Sequence, residues 1–231
     1  MLKPKLSKLR RKIFETVGSE RYSRPSLFDI DRKLEKYLPN RNGFFIEVGA
    51  NDGFKQSNTY YLERFKGWQG VLIEGIPKLY QKCLVERPNS QVFNCALVAE
   101  DYTEPFVTMQ YANLMSIVEG ALKNKNNEEK HLKTAISAQR DVDVSYAVRV
   151  PARTLTSILD ECQVSDIDFF SLDVEGFELN VLKGLNFDKY RPKYMLIEAR
   201  FKSEIDEYIS DLYTEIDRLS IHDFLYRRKD M

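Results

Sequence analysis

Phe44-Phe45-Ile46-Glu47-Val48-Gly49-Ala50-Asn51-Asp52-Gly53 is the stretch that decides the fold. An apolar run that stops abruptly at a glycine-rich turn reads as a buried strand breaking into a loop. About twenty residues later a second apolar run, Val71-Leu72-Ile73, closes on an acid, Glu74. In an open α/β sheet the crevice beyond the first strand receives a nucleotide-like ligand, and an acid ending the second strand takes its ribose hydroxyls.

The glycine spacing selects among such ligands. A dinucleotide site uses GxGxxG because the pyrophosphate must approach the backbone at a helix N-terminus. Here Gly49 and Gly53 are four apart, Ala50 and Asn51 lie between them, and Glu47 precedes the first glycine by two. An inward carboxylate at Glu47 repels a pyrophosphate but suits the ammonium and sulfonium charges of S-adenosylmethionine. The expected cofactor-binding set is Glu47, Gly49, Ala50, Asn51, Gly53 and Glu74, with Asp173 at the neighbouring strand end.

Asp173 follows a further buried run, Asp168-Phe169-Phe170-Ser171-Leu172, and opens the acidic segment Asp173-Val174-Glu175-Gly176-Phe177-Glu178. A carboxylate ending a strand beside the cofactor turn can take a proton from an acceptor. It can equally cap the following helix through backbone N–H groups. Asp173 is the first catalytic candidate, with Glu175 and Glu178 on the next helical turn. Glu198 ends a later apolar run at the same sheet edge, so Asp173, Glu198 and Glu175 could gather a divalent cation through oxygen ligands.

Taken together, FFIEVGANDG (44–53), SNTYYLE (57–63), WQGVLIEG (68–75), RTLTSILDE (153–161), IDFFSLDVEGFELNVLKGL (167–185) and YMLIEAR (194–200) resemble the FkbM family of methyltransferases. The resemblance runs in order over roughly residues 40–230. It implies a doubly wound, Rossmann-like seven-stranded sheet of the class I methyltransferase type. It also implies S-adenosylmethionine as cofactor and O-methylation of a sugar, glycan or related small molecule. Two segments depart from the family pattern: Gly75-Ile76 stands between Glu74 and Pro77, and residues 111–146 match nothing in it. A nucleotide-dependent oxidoreductase and a non-catalytic nucleotide-binding module are the competing readings; the missing GxGxxG disfavours the first, and the second has no need of Asp173.

Alternating strands and helices account for most of the remaining chain. Ser26 caps an expected helix over 27–38 with Leu27, Ile30, Leu34 and Leu38 on one face. Strand three is expected at 91–96. Thr154 caps a helix, and residues 214–227 form two strands joined near Ser220-Ile221-His222. His222 would thus sit at the active-site edge as a second proton-transfer candidate, while His131 lies in a charged stretch. Residues 104–150 are expected as an insertion in a domain spanning 26–231. Phe106–Gln110 and Ala147–Val150 would pair as a hairpin, and Lys123–Lys133 reads as a solvated loop or an acceptor cover. Arg153 and Asn113 are acceptor-side candidates, and Trp68 reads as core.

Composition bounds the partners. Lys plus Arg and Asp plus Glu number 35 each, so no global charge draws the chain to nucleic acid or lipid. The three cysteines are widely spaced in apolar stretches and read as reduced, which implies neither disulfides nor a zinc site. With no apolar run long enough to span a bilayer and no signal-peptide pattern, the expected location is cytoplasmic. The first 25 residues are locally basic: Lys3, Lys5, Lys8, Arg10, Arg11 and Lys12 all precede Glu15. They read as a solvated tail, or as a dock for anionic lipid or a phosphate-bearing acceptor.

Overall fold

A computed structural model describes residues 2–138 and 145–231. The elements in chain order are α1 (Leu2–Thr16), α2 (Ile30–Lys33), β1 (Phe44–Val48), α3 (Tyr60–Lys66), β2 (Gln69–Ile73), α4 (Pro77–Glu86), β3 (Gln91–Phe93), β4 (Ala96–Leu97), β5 (Phe106–Tyr111) and β6 (Ile117–Val118). They continue with α5 (Lys125–Ala138), β7 (Tyr146–Arg153), α6 (Leu155–Glu161), β8 (Phe169–Leu172), α7 (Glu178–Lys183), β9 (Tyr194–Glu198), α8 (Lys202–Ile209), β10 (Tyr213–Arg218) and β11 (Asp223–Arg228).

Among the described residues seven strands form the main sheet in the order β10-β11-β9-β8-β1-β2-β3. The five from β9 to β3 run parallel, and β11 and β10 close the edge antiparallel. The chain walks outward from β1 to β3, then returns to lay β8 on the other side of β1. That reversal makes the carboxyl ends of β1 and β8 the topological switch point, where α/β sheets open a ligand crevice.

Side chains alternate between the two faces of the sheet, as the two-residue period of a strand demands. Ile46, Val48, Val71, Ile73, Phe170, Leu172, Met195 and Ile197 pack under α6, α7 and α8 through Leu155, Ile158, Val181, Leu182, Ile205 and Ile209. Phe45, Leu72, Phe169, Leu196 and Leu225 face the other way, against Ile30, Leu34, Leu38, Leu62 and Cys83. Trp68 is core, as its sequence position suggests, and its indole N–H donates to the Asn40 carbonyl at 3.1 Å. Pro77 opens α4 in its first turn, and the Thr154 hydroxyl accepts the Ser157 N–H at 3.2 Å as the cap of α6.

Several expectations are corrected. The helix over 27–38 is broken into short turns because Phe28 and Asp29 take positive φ (53° and 55°), which leaves Leu27 half exposed while Ile30, Leu34 and Leu38 stay buried. The Ser26 side chain makes no cap bond. The 91–96 strand divides: β3 ends at Phe93 beside β2, and β4 crosses to a second sheet ordered β4-β7-β5-β6. In that sheet β5 and β7 pair antiparallel from Phe106–Pro151 to Tyr111–Tyr146, the hairpin-like pairing expected within residues 104–150. Lys123–Lys133 is largely helix, not loop: in α5, buried His131 and Ala135 sit one turn apart and turn the charged residues outward. Residues 139–144 of the expected insertion lie outside the described residues. The basic N-terminal segment is not a solvated tail over residues 2–16 but α1, anchored through buried Arg11 and Glu15.

One buried cation organises the first half of the domain. Arg87, which follows α4 and is 1 % exposed, pairs with Glu63 of α3 at 2.7 Å and with Glu47 of β1 at 3.1 Å. It also donates to the Thr59 hydroxyl at 2.8 Å and the Ser57 hydroxyl at 3.2 Å. Removing it leaves two buried carboxylates without their cation. Arg87→Met is therefore expected to cost about 3–5 kcal/mol of stability in urea denaturation, the usual penalty for breaking a buried pair.

Candidate active site

The crevice at the switch point draws its walls from four places. The loop after β1 contributes Gly49, Asn51 and Lys55 to Asn58, and the end of β2 contributes Ile73 to Gly75. Asp173 to Glu175 follow β8, and the second sheet adds Met109, Asn113, Ser116 and Val118. Gly49 has φ +86°, and a Cβ there would lie 2.0 Å from the Asp173 carbonyl oxygen. Only glycine lets the two strand ends approach this closely.

The backbone of the loop is closed on itself. The Gly49 and Ala50 N–H groups both donate to the Ile73 carbonyl at 3.1 Å, and Gly53 N–H to the Ala50 carbonyl at 2.9 Å. Asn51 N–H donates to Glu74 Oε2 at 2.7 Å and Asp52 N–H to Asn51 Oδ1 at 2.8 Å. Phe54 and Lys55 N–H groups go to Asp52 Oδ1. Every amide from 49 to 55 is thus occupied, so none is presented to a pyrophosphate as a dinucleotide site requires. Among the described residues the charged side chains on the walls are Glu47, Glu74, Asp173, Glu175 and Lys55. Arg87 meets the charge of Glu47 and Arg200 that of Glu175, which leaves Glu74 and Asp173 as acids for a ligand carrying positive charge, and the residues present fit S-adenosylmethionine.

The acids differ in what they have left to offer. Glu47 was expected to face the ligand's charges, but its Oε2 accepts from the Ser57 and Thr59 hydroxyls (2.9 and 2.6 Å) and from Arg87, while Oε1 takes Asn58 N–H at 2.9 Å. Its charge is met by Arg87, and it shapes the 57–59 turn. Glu74 spreads its two oxygens between Asn51 N–H and Ile76 N–H (2.7 and 2.8 Å), so each oxygen keeps a lone pair for a hydroxyl. Burial pushes its pKa up to about 7, against the pull of those two N–H groups.

Beyond β8 the chain gathers a carboxylate cluster. One oxygen from each of Asp173, Glu175 and Glu198 lies within 4.8 Å of the others. Asp173 is open toward the crevice but enclosed by protein on its other sides; that enclosure and the neighbouring Glu198 carboxylate hold its pKa well above the ordinary carboxylate range. Glu175 has φ +56° and is paired with Arg200; burial raises it to about 7 despite that cation. Such a cluster can share a proton or ligate a divalent cation. Glu178 is turned away: it accepts the Gly176 and Val174 N–H groups at 2.8 and 3.3 Å and clamps its own loop.

His222 does not line this crevice. It is exposed at the β10–β11 hairpin, its carbonyl accepting Ala199 N–H at 2.9 Å, and it borders an adjoining hollow with His131, Lys130 and Arg200. His131 is buried on α5 with Nε2 2.9 Å from the Met115 carbonyl oxygen, and burial lowers its pKa. Asn113 is on the crevice wall. Arg153 is not; it pairs with Glu161 at 2.8 Å and stays with α6. Arg87, Arg200, Asn58 and Ser171 are polar residues that pattern reading missed. Asn58 Nδ2 donates to Ser171 Oγ at 3.0 Å across the crevice floor, and the S-N-T sequence after the glycine turn is its only local signal.

The Glu74 pKa fixes a pH dependence. Because the folded value lies above the ordinary 4.5, its ionisation withdraws stability as pH rises from about 4.5 through about 7. Ribose hydroxyls favour the ionised form, so donor affinity is expected to rise through about pH 7. In Glu74→Ala it should fall about ten- to a hundredfold and lose that rise, as calorimetry across pH would read.

The sequence matches the methyltransferase FkbM domain over residues 47–227. Solved structures that align with the chain include a SAM-dependent methyltransferase from Aquifex aeolicus, 13 % identical over 89 % of this chain and 92 % of that one, with a TM-score of 0.46. Another is a TehB-like SAM-dependent methyltransferase from Corynebacterium glutamicum, 11 % identical over 98 % and 100 % of the two chains, with a TM-score of 0.41. Comparison with curated proteins found no match. With most of its length matched, the chain belongs to the FkbM methyltransferase family and is an S-adenosylmethionine-dependent methyltransferase.

Proposed function

We propose that the enzyme methylates a hydroxyl oxygen of a sugar, glycan or related small molecule, with Asp173 as the proton acceptor. The observation that carries this reading is the carboxylate cluster at the crevice edge, where one oxygen from each of Asp173, Glu175 and Glu198 lies within 4.8 Å of the others. An alcohol is a weak nucleophile until its proton is taken, whereas a neutral amine attacks without one being removed first. A placed base adds about 10² to 10⁴ in rate. The walls support the same substrate class. Gln56, Asn58, Asn113, Ser116 and Ser171 offer hydrogen bonds suited to a polyol, and among the described residues Phe177 is the sole aromatic one lining the crevice, which gives a flat aromatic acceptor little to stack on.

Bound in the crevice, S-adenosylmethionine would supply a methyl group on a sulfonium that departs as a neutral thioether. Glu74 would hold its ribose hydroxyls, and Gly49, Ala50, Asn51 and Gly53 would shape the loop beside it. Asp173 would receive the acceptor's proton as the new carbon–oxygen bond forms, with Glu198 sharing the charge. Glu175 is held by Arg200 and positions that pair. His222, outside the crevice, is left at most a contact with a larger acceptor reaching the hollow it borders with His131. A cytoplasmic location belongs to this proposal, in keeping with free thiols at Cys83, Cys95 and Cys162.

Asp173→Asn keeps the shape and removes the base. Single-turnover methyl transfer is expected to fall about a hundredfold or more while cofactor affinity changes little. Turnover near that of the wild type would take the base role from Asp173, which is no helix cap either: α7 begins only at Glu178, and the Val174 and Gly176 N–H groups go to the Glu178 carboxylate. Turnover lost on chelation and restored by a divalent cation would assign the cluster to a metal. Mass spectrometry on a panel of sugars, catechols and amines is expected to place the methyl on a sugar oxygen; transfer to an amine alone would reject the proposal.

A further inference from the structure

Helix α1 is amphipathic the wrong way round for a helix that merely packs. Its inward face is ionic: Arg11 and Glu15 are 3 % and 6 % exposed, Arg11 pairs with Glu86 at 2.5 Å and lies over the Phe54 ring, and Glu15 accepts from Ser23 and Tyr60 at 2.7 Å each. Those bonds fix the helix about its axis. With that rotation, Leu6, Leu9, Ile13 and the following Val17, spaced three and four apart on one face, point outward at 59, 58, 55 and 76 % exposure. A stripe of four large apolar residues facing water has a use for which the docked side of the helix gives no reason.

Charge identifies what covers it. Lys8 and Lys12 reach Glu86 at 2.7 and 3.6 Å yet keep about half of their side-chain surface exposed, and Arg10 is exposed and stacks on Tyr22. The one acid in the helix, Glu15, is turned inward. Lys8, Arg11, Lys55 and Lys82 outnumber Asp52 and Glu86 on the walls of a groove between α1 and α4, and Lys55 also reaches the crevice wall, so this net-basic groove borders the mouth of the active site. An outward apolar stripe bordered by cations is the pattern of a helix lying in the interface of a bilayer with anionic headgroups. A second copy of the chain docked through the same stripe would set these cations against their like. Among the described residues no helix is long and apolar enough to cross a membrane, so the contact is peripheral.

We propose that the outward face of α1 seats this protein on an anionic lipid surface, with Leu6, Leu9, Ile13 and Val17 entering the headgroup boundary and the flanking cations holding the lipid charge. The proposal does not depend on the acceptor. The full-length chain would be floated with phosphatidylcholine vesicles and with vesicles containing about one-third phosphatidylglycerol, at low and high salt. Partition is expected to be at least about tenfold stronger on the anionic vesicles and to weaken with salt. Leu9→Gln/Ile13→Gln should lose it by about tenfold or more while the melting temperature and donor binding hold, because both positions are exposed. Equal partition to the two vesicles, no partition to either, or unchanged partition of the double variant would overturn the proposal. So would a solution dimer, seen by ultracentrifugation, that the same double variant dissolves.

Discussion

The structure turns on the Arg87 guanidinium, a single cation buried where four segments meet. It ties the end of β1 through Glu47, the turn before α3 through Ser57 and Thr59, α3 itself through Glu63, and the end of α4 from which it comes. Alone, any of these groups would be too costly to bury. Together they hold the glycine loop rigidly enough for Glu74 to meet Asn51 and Ile76, and so give the donor crevice its shape before any ligand arrives. That prior ordering lowers the entropy a bound cofactor must surrender.

A different electrostatic regime governs the other lip of the crevice. Around Glu47 the negative charge is matched, whereas at Asp173, Glu175 and Glu198 three carboxylates crowd around one nearby cation, Arg200. Like charges in a partly enclosed space disfavour full ionisation, which raises Asp173 and Glu175 above the ordinary carboxylate range. On the proposed reading the matched side is the holder, and the unmatched side is where proton movement accompanies bond formation. The close passage of β1 against β8 at Gly49 sets the two regimes side by side.

The N-terminal helix shows the same economy in reverse. Across the sheet faces apolar residues supply most of the packing. In α1 ion pairs supply the docking, which frees the apolar stripe for another surface. Charge pattern in sequence could hint at this, but only the burial of Arg11 and Glu15 reveals which side of the helix is turned out.

Much of the framework was legible in the residues. Apolar runs ending in Gly49, Glu74, Asp173 and Glu198 mark four parallel strand ends, because a strand buried on both faces is mostly apolar along its length. Pro77 and Thr154 mark helix starts for equally local reasons. What those runs could not convey was the state of each carboxylate. Glu47, Glu74, Glu175 and Glu178 are the same residue type in similar contexts, yet one is paired with Arg87, one holds loop amides and keeps lone pairs for a ligand, one joins a cluster, and one clamps its own turn. The partners that decide this, Arg87 and Arg200 among them, lie far away or in stretches that read as exposed turns. Likewise the break at Phe28, the helix hidden in the charged stretch of α5 and the placement of His222 beside a separate hollow follow from packing between distant segments. Local patterning determined the sheet and the position of its crevice; only tertiary contact determined which charges in it are satisfied and which remain for chemistry, because a charge's energy is set by the groups that surround it in space.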